Sequence, residues 1–317
     1  MSAETRALHA RPDLRPGKPK KKYRGAFIGK GDVTVEVVSI VVITLFAAIC
    51  VAPFIYVLFS SLTPYTEYIE HPTRLIPLHP TLDAYTKIIK YNLIYTGYKV
   101  TISVTLLGTA LSIFLLIITG YPLSKKGLKG ANVIMGMIMF TMFFGGGMIP
   151  NYILIRDLNL TNTIGALILP GCMSAFNIIL MKNFIRTTIP ESLEEAARVD
   201  GANDLRILFQ IITPLLIPII ATMVVFISVG HWNSYFNAMI YMRDRDKWPL
   251  MLVLREIVAQ NTTVVESVAQ MLNDEAQAHP FTLRMASIIV TTAPILIVYP
   301  FMQKYFVTGI HLGSVRE

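Results

Sequence analysis

Six uninterrupted apolar runs govern what this 317-residue chain can become: Val33 to Phe59, Val100 to Leu123, Ala131 to Ile155, Thr163 to Met181, Leu215 to Met242 and Phe281 to Tyr305. Each reaches the ~17 to 25 residues that a helix needs to cross hydrocarbon. The runs show no two-residue alternation, and a backbone amide cannot be left unpaired in lipid, so they predict helices and not barrel strands. Composition agrees: 53% of the residues are hydrophobic and 15% charged, with mean hydropathy +0.55, too apolar for a soluble chain of this size. The predicted class is an all-α polytopic membrane protein with six transmembrane helices over residues 33–306. The first run follows about 30 polar residues and is too long for a signal core, so it is expected to remain as an uncleaved anchor. Cys50 and Cys172 fall inside expected spans, where a thiol behaves as a small apolar side chain; they imply neither a disulfide framework nor a metal site.

Charge gives the expected orientation. With the amino terminus placed inside, 18 of the 28 Lys and Arg residues fall on the inner side, among them Lys125, Lys126, Lys129 and a basic tail spanning residues 1–32. That bias favours both termini in the cytoplasm. The run from Lys18 to Arg24 stands just before a span, which makes topology setting and contact with lipid headgroups the better reading than nucleic-acid binding.

Between the first two spans, Ser60 to Lys99 carries four prolines and several aromatics and is expected to be an external loop with some helix. The third run is interrupted by Gly145, Gly146, Gly147 and Pro150, and the fourth by Pro170-Gly171. Such breaks are tolerated at membrane depth only beside protein or a wet cavity. The fifth carries Gly230-His231-Trp232-Asn233-Ser234-Tyr235 in its outer half. Trp232, Asn233, Tyr235 and Asn237 admit two readings. They form part of a cargo path, since aromatic faces stack on sugar rings and amides bond hydroxyls, or they glue a helix interface beside an interfacial aromatic belt. Arg243 to Pro280 turns polar and is expected to be a second external loop able to meet a binding protein; its acids Glu256, Glu266, Asp274 and Glu275 read as solvated loop residues and not a catalytic pair.

The most informative segment, residues 187–214, lies between the fourth and fifth spans. It reads as helix, tight turn, helix. Pro190 suits a first helical position, Ser192 and Glu195 have capping-box spacing, and Glu191, Glu194 and Glu195 favour the positive end of the helix dipole. Glu194 and Arg198 stand at i,i+4 for an ion pair. Gly201 permits a left-handed stop, and Asn203 or Asp204 caps a second helix from Leu205 to Ile212. The Ala196-Ala197 pair leaves a nearly bare surface that another protein can grip, with an adjacent acid for an orienting charge-assisted bond.

Glu195-Ala196-Ala197, three residues, Gly201, nine residues, Ile211, one residue and Thr213-Pro214 resembles the coupling loop of permease subunits in binding-protein-dependent ABC importers, whose pattern is EAA, three residues, G, nine residues, I, one residue, LP. Thr213 stands where that pattern has leucine. The resemblance runs from the first span to the carboxyl end and is closest to the maltose-permease class of carbohydrate importers. Residues 162–171, 230–238 and Trp248-Pro249-Leu250 look like a branch that imports complex oligosaccharides. The resemblance implies a type I ABC importer permease fold and a functional unit of two different permeases, an ATPase homodimer and an external solute-binding protein. It implies that Glu194, Glu195, Ala196, Ala197, Asp200, Gly201, Ile211 and Pro214 couple to the ATPase, and that the tail 307–317, with Gly309 and Gly313, reaches toward it. It also implies a carbohydrate cargo, an oligosaccharide in this branch, moved inward by alternating access.

The chain carries no phosphate-binding loop; Gly25 to Lys30 is one residue short and sits in a basic tail. ATP and Mg2+ are therefore expected in the partner, with no cofactor, metal or catalytic residue in this chain. An ion-coupled secondary transporter would place ionisable groups within its spans, and the middle four spans have no acid in their cores. Glu36 and Arg284 lie near span ends. His231 is a tempting base or ligand, but no second His or acid follows at i+3 or i+4, which favours a hydrogen-bonded packing residue over catalysis. A permease for a non-sugar solute remains open on the coupling loop alone.

Overall fold

The computed structural model describes residues 30–72, 74–259 and 280–314. Most of the basic tail, Asn261 to Thr263, and the acids Glu266, Asp274 and Glu275 lie outside the described residues. Among the described residues every regular element is a helix. The chain divides into two compact units, Met1–Phe54 and Ile55–Glu317.

The first unit contains most of α1 (Lys30–Leu62), whose side chains from Thr34 to Phe54 are all exposed. Apolar residues occupy every face of this stretch, so it has no amphipathic stripe and calls for lipid or protein on all sides.

In the second unit the end of α1 is followed by α2 (Tyr65–Glu70) and α3 (Asp83–Lys90). The Glu67 carboxylate accepts the backbone N–H of Leu78 at 2.7 Å and of His79 at 3.2 Å, with Arg74 3.7 Å away. Those bonds, the Leu78 one first, hold its pKa below the ordinary carboxylate value and pin the segment between the two helices.

The centre of the unit is α4 (Asn92–Ser124), 33 residues without a break. It begins eight residues before the apolar run because Ile94 and Gly97 are buried although polar residues flank them. Lipid tails are as apolar as leucine, so helices associate here through close packing of small residues and not through the hydrophobic effect. Three glycines of α4 show this. A methyl on Gly97 would stand 3.2 Å from Leu250 Cα, one on Gly108 2.6 Å from His231 Nε2, and one on Gly120 2.8 Å from Met181 Cγ.

Three spans are bent. α5 (Ala131–Phe143) and α6 (Met148–Asp157) meet at 115° across Phe144 to Gly147. The third run is therefore not one straight span: the 13 residues of α5 rise only about 20 Å, and the Gly147 backbone turns the chain with φ +85°. α7 (Ile164–Ile168) and its 3-10 extension Leu169–Gly171 meet α8 (Ala175–Thr188) at 53°, at the expected Pro170-Gly171 interruption. After α9 (Glu191–Val199), a segment made of α10 (Asp204–Arg206), a π-helical turn Ile207–Ile212 and α11 (Thr213–Leu215) meets α12 (Ile217–Trp232) at 77°. With α1, α4 and residues 281–300 as unbroken helices, these pairs make six candidate spans.

Two expectations are corrected. The fifth run does not continue as one helix to Met242: α12 stops at Trp232 and α13 (Phe236–Tyr241) begins after a turn at Asn233. Nor is Arg243 to Pro280 simply a solvated loop. α14 (Leu250–Ala259) buries Leu250, Val253, Leu254 and Ile257 at i, i+3, i+4 and i+7, a stripe too short to register as a span. Glu256 within it lies 3.6 Å from Arg245. The last helix, α15 (Pro280–Ser314), runs unbroken through Gly309 and Gly313.

Candidate functional site

The segment between α8 and α12 forms an exposed elbow. Pro190 is the N-cap of α9, with extended backbone (φ −66°, ψ 138°), and not its first helical residue. The expected capping box therefore does not form, because Ser192 already lies inside the helix. The stop is as expected: Gly201 adopts φ +80°, its N–H reaches Arg198 O at 3.0 Å, and Ala202 N–H reaches Ala197 O at 2.9 Å. This paired closure satisfies the last carbonyls of the helix. Asn203 Oδ1 then accepts Arg206 N–H at 2.8 Å and caps α10.

α9 has two distinct faces. Ser192, Glu195, Ala196 and Val199 share one side at i, i+3, i+4 and i+7, and all are exposed, Val199 to 87%. The Ala196-Ala197 pair is split, since Ala197 is buried in the apolar core below the elbow. Glu194 also turns inward. It does not pair with Arg198; it pairs with Lys125, and Tyr121 donates its hydroxyl to the carboxylate at 3.3 Å. Arg198 instead meets Asp204 across the turn at 2.5 Å. The i,i+4 rule was outcompeted by partners from α4 and from beyond Gly201, which linear spacing cannot show. Asp200 is the exposed C-cap of α9.

The expected second helix from Leu205 to Ile212 is wound as a π turn over most of its length. Leu208 O accepts both the backbone N–H of Thr213 and its hydroxyl, the latter at 2.8 Å. Leucine, the residue at this place in the coupling-loop pattern, would supply only the first. Pro214 follows with no N–H to continue the ladder, and the chain bends at Leu216. Ile211 packs against the same core as Ala197, and Pro214 is exposed.

At the opposite end of α12, Trp232, Asn233, Tyr235 and Asn237 cluster around the helix break but do not share neighbours. Trp232 is half-buried and edge-on to Tyr98, with ring centroids 6.4 Å apart, and lines an apolar cavity of about 240 Å³ with Thr105, Leu106 and Tyr299. Its indole N–H has no partner among the described residues. Tyr235 is exposed and carries the Arg255 guanidinium 5.5 Å from its ring centroid. Asn233 is the C-cap of α12, and Asn237 lies half-buried in α13. His231 sits over Gly108 as a packing residue between α12 and α4.

Sequence reasoning missed a clasp beside this cluster. Asn162, at φ +62°, donates its amide to Asp244 Oδ2 at 2.7 Å and accepts the N–H of Arg243 and of Asp244, each at 3.2 Å. The Asn162 bond, then Lys247, holds Asp244 below its ordinary carboxyl value. The available signal was asparagine at positions 159 and 162 between apolar runs, since asparagine tolerates left-handed backbone.

Unbroken and bent helices of membrane length, with a capped and exposed elbow between two of them, define a polytopic membrane protein. The chain belongs to the family of binding-protein-dependent transport system inner membrane components, whose pattern matches residues 25–311. It is 43% identical over 272 residues to the polygalacturonan/rhamnogalacturonan transport system permease protein YtcP of Bacillus subtilis (strain 168), covering 86% of this chain and 94% of that one. It is 37% identical over 269 residues to protein LplC of the same organism, covering 85% and 90%. The fold matches a chain in the crystal structure of a bacterial ABC transporter involved in the import of the acidic polysaccharide alginate, with TM-score 0.82 and 34% identity, over 89% of this chain and all of that one. The protein is thus a multi-pass membrane component of a transport system.

Proposed function

We propose that this chain is one of two permease subunits of an ATP-driven importer that carries an oligosaccharide, and specifically a uronate-rich one, into the cytoplasm. The split of α9 into an exposed and an inward face is the observation that carries the reading. The exposed face offers Glu195 beside the bare Ala196, and an incoming ATPase can approach such a surface closely and orient on the carboxylate. The elbow end is cytoplasmic, with both termini, in keeping with the excess of Lys and Arg on that side.

ATP and Mg2+ belong to the ATPase homodimer, which supplies the hydrolysis this chain does not perform. Closure of the two ATPase copies moves the elbow as a near-rigid lever, and the helices above it exchange an outward-open for an inward-open arrangement. A solute-binding protein delivers the cargo to the opposite face. Glu195, Ala196, Asp200 and Gly201 form the docking element, with Ala197, Ile211 and Pro214 behind it, and the end of α15 at Gly309 and Gly313 reaches toward the same partner. Trp232, Asn233, Tyr235 and Asn237 flank the cargo path.

The acidic class is supported by the polymers named for the relatives, polygalacturonan and alginate, and by Arg255, which has no acidic partner among the described residues and lies over Tyr235. A guanidinium on an aromatic face can receive a sugar carboxylate while the ring keeps it oriented. The test is uptake of labelled oligogalacturonides by the complete complex in proteoliposomes. Uptake that needs ATP, and that neutral oligosaccharides of equal length fail to compete, is the expected result. Uptake by this chain alone, without ATP, would overturn the reading.

A further inference from the structure

We infer that Lys125 and Glu194 form the joint through which the elbow moves α4, and with it the far end of the bundle; this inference rests on the lever reading above. The Glu194 side chain, 13% exposed, points away from the docking face and into the end of α4. There it meets the Lys125 ammonium and the Tyr121 hydroxyl, and the same ammonium lies 4.2 Å from the centroid of the Tyr121 ring. One turn earlier on α9, Glu191 meets Lys126 at 2.9 Å. Two acids three residues apart on the elbow thus face two consecutive lysines after α4. The Glu191–Lys126 pair is 63% exposed on both sides and contributes little. The inner pair is shielded, so removing either partner strands the other charge beside an apolar core.

Two routes lead from the elbow toward Trp232. The covalent one passes through the π turn and the 77° bend, both of which interrupt the helical ladder. The other is α4 itself, whose 33 residues keep one helix although Pro122 removes a single ladder bond in its last turn, and which rise about 50 Å. Along that length α4 seats Met181 of α8, His231 of α12 and Leu250 of α14 against Gly120, Gly108 and Gly97. At its far end the Thr101 hydroxyl accepts Leu250 N–H at 2.8 Å, the Tyr98 hydroxyl donates to Val290 O, and the Tyr98 ring meets Trp232. A displacement delivered at Lys125 reaches these contacts without crossing any of the bent pairs. Lys125 and Glu194 are positioning residues: they act on the cargo path only through α4.

The test uses the assembled importer in lipid, with Cys50 and Cys172 replaced by Ala and one reporter cysteine at Leu106, which is 65% exposed on α4 and lines the cavity with Trp232. Its rate of alkylation by a membrane-permeant maleimide is measured with and without ATP and vanadate, so that no cargo is needed. The parent complex should change rate by about fivefold between the two conditions, as expected when a two-state equilibrium is pulled across its midpoint. Lys125→Ala should flatten that change to within about twofold while still trapping nucleotide with vanadate, and the exchanged pair Lys125→Glu with Glu194→Lys should restore it. A Lys125→Ala complex that keeps the parent's response overturns the joint, as does an exchanged pair that fails to restore it, whether or not it assembles. A parent complex that shows no ATP-dependent change overturns the lever reading beneath.

Discussion

Gly201 and Thr213 set the shape of the elbow in different ways, and each makes a separate prediction. At Gly201 a methyl would find open space, so any cost of substitution comes from the backbone at φ +80°. Asn tolerates that region and Val does not. Gly201→Asn should therefore leave thermal stability of the purified complex nearly unchanged, while Gly201→Val should cost about 1–2 kcal/mol and lower the melting temperature. Equal effects of the two would mean that the site is governed by contact and not by dihedral strain. At Thr213 the hydroxyl is the second donor to Leu208 O. Thr213→Val keeps the shape and loses that bond, a change of about 1 kcal/mol; Thr213→Ser, which keeps the donor, should recover most of it in the same melt.

The Asn162 clasp is an element-scale device, since it ties the turn before α7 to the turn after α13. Because the folded state lowers the Asp244 pKa below its ordinary 3.8, the contribution of the clasp is full above that value and is lost as pH falls through the lower folded one. Proteolysis in the Arg243–Lys247 turn should accordingly be slow at neutral pH and accelerate only in strong acid. Asn162→Ala should speed it at neutral pH, and equal rates for the two proteins would contradict the clasp. Neither this clasp nor the Lys125–Glu194 pair could be read in advance, because each joins residues far apart in sequence and depends on how helices pack. The elements themselves were more legible. Unpaired amides are forbidden in lipid, so six apolar runs had to become helices, and the breaks at Gly145 to Gly147 and at Pro170-Gly171 followed from consecutive glycines that weaken a helix and a proline that interrupts its ladder. The angle of each break, the π turn before Thr213 and the short buried α14 were not legible, because tertiary contacts and not local preference decide them. In the elbow, the Gly201 stop and a cap at Asn203 or Asp204 were visible as local chemistry, and the structure assigns the cap to Asn203. The two-faced character of α9 was not, since Ala196 and Ala197 look alike until the core lies beneath one of them.

For the molecule as a whole, the proposed function makes this chain a passive membrane component worked by a separate ATPase through an exposed helix face, and the proposed joint makes α4 the stiff member between the two ends. At the far end, Arg255→Ala should weaken ATP-driven uptake of oligogalacturonides about tenfold, the size of one lost charge-assisted contact. The coupling role of the elbow is tested by ATP hydrolysis of the reconstituted complex, with and without its loaded binding protein, when Glu195 alone is changed to Ala. The complex should still insert, and stimulation by the binding protein should fall at least about tenfold, since the orienting bond to the ATPase is lost. Stimulation equal to that of the unaltered complex would contradict it.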